Sequence, residues 1–162
     1  MAISSDLERL NADTTDGCIA TGVHREIIQS VGATRTLLNE ESGALCEFDR
    51  AAGVVYTLPA SPKEGCWFEF VTTVTITSNA AKVITSGSKF ILGTMFGYTT
   101  DATEIDGFSA DGSTHVAISS NGSTTGGVIG DRYTLVYDGT RWLVEGCIFC
   151  GTSTPATPFA TS

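Results

Sequence analysis

The chain has 162 residues, which is enough for one domain with a buried core but not for two ordinary domains. Charged residues make up 17% of it, below the roughly 25% of an average globular protein, so either other subunits cover part of the surface or abundant Ser and Thr hydrate it. The net charge of −9 excludes the cationic footprint that nucleic acid or an anionic membrane would require, and neither is expected as a partner.

Residues 1–32 differ in texture from the rest and are predicted to form an N-terminal arm. Ser5-Asp-Leu-Glu8 fits a capping box, so a short helix is expected to begin there. The arm is too short and polar to build a core, and its apolar residues are expected to dock on a partner: Ile3, Leu7, Leu10 and Ile19. The start of the chain lacks the pattern of a signal peptide, and no run approaches the roughly 18 apolar residues of a membrane span, so folding in a cytoplasm is expected.

From residue 33 to residue 150 the sequence predicts a β domain. Short apolar or alternating runs recur between turn residues, at 44–49, 54–58, 66–77, 82–85 and 89–92. The run 67–71 is apolar at every position except Glu69, which is typical of a strand that crosses the centre of a sandwich. Residues 93–113 show no periodicity and are predicted to form a long loop, either folded back onto the sheet or covered by a partner.

Two hairpin dipeptides follow. Asn121-Gly122 and Asp138-Gly139 lie between β-like runs, and such dipeptides favour the turns of antiparallel hairpins. Residues 151–162 are predicted to be an extended C-terminal tail, because Pro155 and Pro158 bar it from a central strand. The predicted fold is all-β, an antiparallel β-sandwich or jelly-roll-like fold of roughly 8–10 short strands with a short N-terminal arm or helix.

The five cysteines do not predict a disulfide framework, because their number is odd and their spacing irregular. Cys147 and Cys150 form a CxxC, but it ends a strand and has no second ligand pair for zinc. The thiols are therefore expected to be buried and to behave as small hydrophobic groups. The others are Cys18, Cys46 and Cys66.

The sequence contains no convincing catalytic or metal-binding motif, and no catalytic residue, metal or cofactor is expected. The acidic stretch 101–112 places Ile105 and Asp106 where a calcium loop needs an oxygen donor and Gly, so turns capped by Asp are favoured over an irregular calcium site. His24 and His115 accompany no nucleophile elbow. The glycine-rich run 126–130 precedes no helix, which indicates a bulge or a close approach of subunits rather than a phosphate site.

Aromatic side chains could stack on sugar rings, but core packing is the favoured interpretation. Trp67 belongs to the most apolar run, and Tyr133 and Tyr137 alternate with Leu135 as a core stripe. The remaining candidates for glycan binding are Trp142 and Tyr98.

Several phrases of the sequence resemble virion proteins of tailed phages, and the best match is to small capsid decoration (cement) proteins of marine and freshwater phages. The resemblance covers roughly residues 36–162. The similar segments are 48–70, 83–85, 90–93, 113–119, 121–130, 141–146 and 157–162. These are turn-and-strand phrases without a chemical signature, so they indicate a structural class more strongly than a named role.

The resemblance implies a non-enzymatic β-sandwich that sits on the outer surface of the virion, often as a homotrimer, and bridges subunits of the phage major capsid protein after synthesis in the host cytoplasm. The expected capsid contacts are Ile3, Leu7, Leu10, Ile19 and Phe159, and the expected trimer contacts are Phe96, Tyr98, Phe108, Gly126 and Gly127. The alternative is a tail-fibre or baseplate module that binds host surface glycans, and a third interpretation is an accessory domain of an extracellular protein.

Overall fold

The computed structural model describes residues 25–86, 88–100 and 104–162. The strands are β1 (Ile27–Ile28), β2 (Thr34–Thr36), β3 (Leu45–Phe48), β4 (Val55–Thr57), β5 (Trp67–Thr72), β6 (Ala81–Ile84), β7 (Ile91–Tyr98), β8 (Ile105–Asp111), β9 (Ala117–Ser120), β10 (Arg132–Tyr137), β11 (Trp142–Phe149) and β12 (Phe159–Ala160). A 3-10 helix at Asn39–Glu41 is the one helical element among the described residues, and none of these forms a helix long enough and apolar enough to cross a membrane. The predicted all-β fold is confirmed.

The strands form two sheets, here called the large sheet and the small sheet. The large sheet has seven strands in the order β1-β3-β5-β10-β11-β7-β8, and the small sheet has five in the order β12-β9-β6-β4-β2. Tyr56 of the small sheet packs edge-on against Phe48 and Phe70 of the large sheet, with ring centroids 5.4 and 5.6 Å apart. The two sheets therefore share one core, as in a β-sandwich.

The first six strands depart from the predicted antiparallel pairing. Successive strands alternate between the sheets, and β1, β3 and β5 pair in parallel in the large sheet, as do β2, β4 and β6 in the small sheet. Parallel neighbours need a long crossover, and here each crossover is a strand of the opposite sheet. This half of the domain is a stack of parallel coils, and both sheets of the sandwich are mixed.

The second half contains the antiparallel pairs that the sequence predicts in part. β10 and β11 form a hairpin closed by Asp138-Gly139, where the Asp138 carboxylate accepts hydrogen bonds from the backbone amides of Thr140 and Arg141 at 2.8 and 2.6 Å. The hairpin predicted at Asn121-Gly122 is wrong, because β9 before it belongs to the small sheet and β10 after it belongs to the large sheet. Residues 121–131 are a connection between sheets.

The loop predicted at 93–113 is also wrong. β7 and β8 form an antiparallel hairpin at the edge of the large sheet, with Tyr98 opposite Ile105 and Leu92 opposite Asp111. β8 is exposed at most positions because it is the edge strand, so its sequence lacks the alternation that reveals a half-buried strand.

Inward-facing residues confirm the predicted core stripe of β10. Tyr133, Leu135 and Tyr137 are buried, and the Tyr133 ring stacks on Phe70 at 5.4 Å between centroids. Trp142, opposite Tyr137 in the ladder, is completely buried. The sandwich core therefore lies under the centre of the large sheet and supports the outer face above it.

The C-terminal segment is not a free tail. Phe159 is buried in β12, which pairs with β9 at the edge of the small sheet, and Pro155 and Pro158 are buried as well. The prediction that proline keeps this segment out of a central strand agrees with its edge position.

Candidate functional site

The outer face of the large sheet carries most of the exposed apolar side chains in the described part of the chain. Side chains alternate along each strand, so this face collects every second residue of the seven strands. The large apolar residues exposed on it are Ile27, Trp67, Phe96, Tyr98, Ile105, Val136 and Leu143. Large exposed apolar side chains grouped on one face of a protein mark a candidate binding surface.

Three of these residues form what we call the central patch: Trp67, Val136 and Leu143. The ladder places Val136 directly opposite both Trp67 and Leu143, so the three side chains stand side by side on β5, β10 and β11. Trp67 is 36% exposed, whereas the sequence predicted a core residue. The error arises because β5 is apolar on both faces and periodicity cannot tell its inner side from its outer side.

A charged cluster adjoins the central patch. The Glu69 carboxylate is paired with both Arg25 and Arg132. Hydrogen bonding from Arg132 and then from Arg25 lowers the pKa of Glu69 against the opposing effect of burial, so the carboxylate is ionised at neutral pH. A carboxylate held ionised between two arginines in this way has a structural role and is not poised as a general acid.

An open groove runs between these charges and β7, the strand next to the edge strand β8. Its volume is about 670 Å³, and Glu69, Phe96, Arg132, Glu145 and Cys147 contribute to its walls. Aromatic, acidic and basic groups therefore meet on one shallow surface, while the backbone below them is fixed by the sheet ladder.

The far edge of the face carries a second apolar cluster, here called the hairpin patch: Phe96, Tyr98, Ile105 and Phe149. Tyr98 packs against Phe149 with ring centroids 5.2 Å apart, and Tyr98 is opposite Ile105 across the β7–β8 ladder. Phe96, Tyr98 and Ile105 are 51%, 42% and 66% exposed. The hairpin patch extends onto β8 through Ile105, and the outer edge of β8 forms no ladder in the described structure.

The predicted trimer contacts do not form a single surface. Phe96 and Tyr98 lie together in the hairpin patch, but Phe108 lies on the opposite side of β8 and packs against the core. Gly126 and Gly127 are buried inside the chain, so the expected surface role for these glycines is corrected.

Of the predicted capsid contacts, the structure describes Phe159. Phe159 is buried and its ring lies 5.7 Å from that of His115, so its side chain is not displayed for a partner. The remaining four lie outside the described residues: Ile3, Leu7, Leu10 and Ile19.

Gly126 and Gly127 lie against the buried carboxylate of Asp131, which the sequence pattern did not predict. Asp131 is 2% exposed and accepts hydrogen bonds from the amides of Gly127 and Phe149, both at 2.6 Å, and of Val128 at 3.3 Å. Burial raises the pKa of Asp131 to about 6, against the opposing effect of these three amides. A Cβ on Gly126 would lie 2.6 Å from the same carboxylate, so only glycine fits. Asp131 therefore ties the 121–131 connection to the end of β11.

The histidine of the described region is a packing residue at an acidic turn. His115 Nδ1 lies 3.6 Å from the Asp111 carboxylate, which accepts hydrogen bonds from the backbone amides and hydroxyls of Ser113 and Thr114. These bonds lower the pKa of Asp111. The turn capped by aspartate was predicted for this stretch, and within the described ranges no group of three or more His, Cys, Asp and Glu residues could hold a metal ion.

The described cysteines are all free thiols. Cys46, Cys66 and Cys150 are buried, as predicted, and burial raises the pKa of each, that of Cys46 to about 12. Cys147 contradicts the prediction, because it is exposed on the outer face opposite Phe96.

No protein-family model, curated protein or solved structure matches this chain. On the outer face, the described residues form two apolar patches, a groove and an ion-pair cluster in which two arginines flank one carboxylate.

Proposed function

We propose that the chain is a non-enzymatic structural protein of a phage virion, which assembles as a homotrimer on the outer surface of the capsid and bridges major capsid subunits. The observation that carries the proposal is the hairpin patch, an exposed apolar surface on a rigid sheet edge with no chemistry attached to it. The sequence resemblance supports the location on a capsid, and the hairpin patch supports self-association.

Self-association would bury the apolar side chains of the hairpin patch, which are exposed in the single chain. Fully burying a large apolar side chain is worth about 1.5–3 kcal/mol, and Phe96, Tyr98 and Ile105 each keep a large exposed fraction. In a closed ring of subunits the same contact is made at every interface, so the free energy gained from burial is repeated and can exceed the entropic cost of association. The low charged fraction of 17% accords with a surface that is partly covered in the assembly.

The case for a stabilising role rests on mass action. A protein that binds only the assembled shell lowers the free energy of that shell relative to its dissociated subunits. Such a clamp must be stiff, and the described domain is stiff in this sense because its outer faces rest on a closely packed aromatic core.

Immunogold electron microscopy tests the assignment. Virions of the phage that encodes the chain should carry gold on the outer surface of the head, and heads assembled without the chain should release DNA at lower temperature. Gold confined to the tail, or heads of unchanged stability, would overturn the proposal.

A second candidate function is a tail-fibre or baseplate module that binds host glycans, and the groove is the observation that favours it. Phe96 lines the groove together with Arg132, Glu69 and Glu145, and a groove that combines an aromatic ring with charged hydrogen-bonding groups suits a sugar. A glycan array distinguishes the two functions. Specific glycan binding that disappears in Phe96→Ala would support the glycan-binding function. Absence of specific binding would rule this function out.

A further inference from the structure

The described chain begins on the outer face of the large sheet. Arg25 donates from Nε to the carbonyl of Gly43 at 2.6 Å and is paired with Glu69. Its guanidinium lies over the Trp67 ring, 4.9 Å from the centroid, in a cation–π contact. Arg25 therefore fixes the start of the described chain at the border of the central patch.

The central patch is within easy reach of the residues before Arg25. Trp67, Val136 and Leu143 stand on three adjacent strands, which span about 10 Å at the usual strand spacing of roughly 4.8 Å. An extended chain covers about 3.4 Å per residue, so a handful of residues suffices to cross the patch. Residues 1–24 are several times longer than this crossing requires.

The sequence of residues 1–24 supplies suitable apolar side chains. Val23 and Ile19 come first on leaving Arg25, and Leu10, Leu7 and Ile3 follow after a polar stretch. Between them lie short polar stretches, which fits a segment that has one face on a sheet and the other in water.

We propose that residues 1–24 of the chain pack across the central patch of the same molecule, with Val23 and Ile19 against Trp67, Val136 and Leu143. The tether holds the segment at a high effective concentration over this surface, so modest apolar contacts are enough to dock it. This covers the central patch and leaves the hairpin patch for other copies. The proposal does not depend on the virion role, since it concerns the free protein.

Two readouts on the full-length protein report docking. Trp142 is completely buried and Trp67 is the other tryptophan of the chain, so fluorescence quenching by acrylamide selectively reports the accessibility of Trp67. Hydrogen exchange with mass spectrometry reports amide protection in peptides from residues 1–24. Both are measured over a range of protein concentrations, because docking within one molecule is independent of concentration.

Matched variants disturb the two sides of the contact. Leu143→Glu places a charge in the central patch, and Leu38→Glu places the same charge at an exposed leucine outside the large sheet. Ile19→Asp and Thr14→Asp form the corresponding pair in the N-terminal segment. Leu143 is 39% exposed, so its substitution is compatible with folding, and circular dichroism confirms that each variant is folded.

The expected result is weak quenching and protected amides in the wild type at every concentration. Leu143→Glu and Ile19→Asp should each lower the ratio of docked to undocked molecules by roughly tenfold, or about 1.4 kcal/mol, while Leu38→Glu and Thr14→Asp leave it unchanged. Unprotected amides with a freely quenched Trp67 would overturn the proposal. Protection that appears only at high concentration, or that survives both disruptive variants, would overturn it as well.

Discussion

Replacing Asp131 by Asn tests whether this buried carboxylate holds the connection between the two sheets. Its two oxygens accept three backbone hydrogen bonds, from Gly127 and Val128 on one side and from Phe149 on the other. The amide of Asn has one oxygen, and its nitrogen cannot accept a hydrogen bond. In either orientation at least one amide N–H therefore loses its acceptor and faces an NH₂ group.

The size of the effect follows from that count. An amide N–H left without a partner in a buried site costs about 1–3 kcal/mol, and the adjacent N–H dipoles repel one another in addition. We expect Asp131→Asn to lower the free energy of unfolding by about 1–2 kcal/mol at pH 7, because removal of the buried charge offsets part of the lost hydrogen bonding. For a chain of this length that is a fall in Tm of roughly 2–8 °C.

Urea denaturation and calorimetry measure this difference, and Asp106→Asn is the control. Asp106 is an exposed aspartate on β8, so the same chemical change there should leave stability within about 0.5 kcal/mol of the wild type. Amide exchange gives a local readout, because Phe149 should lose protection in the Asp131 variant while the core strands keep theirs. Unchanged stability, or an Asp106 variant equally destabilised, would refute the role assigned to Asp131.

Three further predictions follow from the same structure. Burial raises the pKa of Asp131 to about 6, above the roughly 3.9 of an unfolded aspartate, so the folded state binds more protons between these two pH values. The free energy of unfolding should therefore fall by up to about 3 kcal/mol as the pH rises from about 4 to 7. Urea midpoints across this range should show the decrease in the wild type and not in Asp131→Asn. Gly122 and Gly65 both have positive φ, +79° and +82°. A Cβ on Gly122 would overlap the carbonyl oxygen of Ile76, whereas a Cβ on Gly65 would meet open space. Thermal denaturation should show that Gly65→Ala lowers the free energy of unfolding by about 1–2 kcal/mol and that Gly122→Ala lowers it considerably more. The buried Tyr133 hydroxyl finds no hydrogen-bond partner among the described residues, so Tyr133→Phe should leave stability unchanged or raise it by about 1 kcal/mol, and a clear loss in urea midpoint would disprove that interpretation.

The fold class could be predicted because β-branched and aromatic residues alternate in short runs between turns. Tyr133, Leu135 and Tyr137 show this directly, since their alternation predicts the buried face of β10 and the structure confirms it. Asp138-Gly139 closes a hairpin as expected, because the strands on both sides are neighbours in one sheet.

The pairing of the first six strands could not be predicted in the same way. Alternation tells which side chains are buried but not whether a neighbouring strand runs in the same direction. A turn dipeptide specifies local backbone angles and not the sheet that receives the next strand, which is why Asn121-Gly122 was misread.

The outer face was mostly hidden from sequence reasoning for a related reason. Trp67 belongs to a run that is apolar on both sides, so its outward position depends on register with Val136 and not on its own neighbours. Phe96 and Tyr98 were expected in a covered loop, and they lie exposed on a strand instead. Asp131 gave no local signal, because its three hydrogen-bond donors include Phe149, far along the chain.

The proposed trimer requires that the hairpin patch join copies of the chain. Sedimentation equilibrium of the full-length protein measures this directly, with Phe96→Glu as the test variant and Leu38→Glu as a matched charge outside the large sheet. We expect a trimer for the wild type and for Leu38→Glu, and a shift to monomer for Phe96→Glu. A wild-type protein that stays monomeric at high concentration, or a trimer that Phe96→Glu leaves intact, would contradict the account.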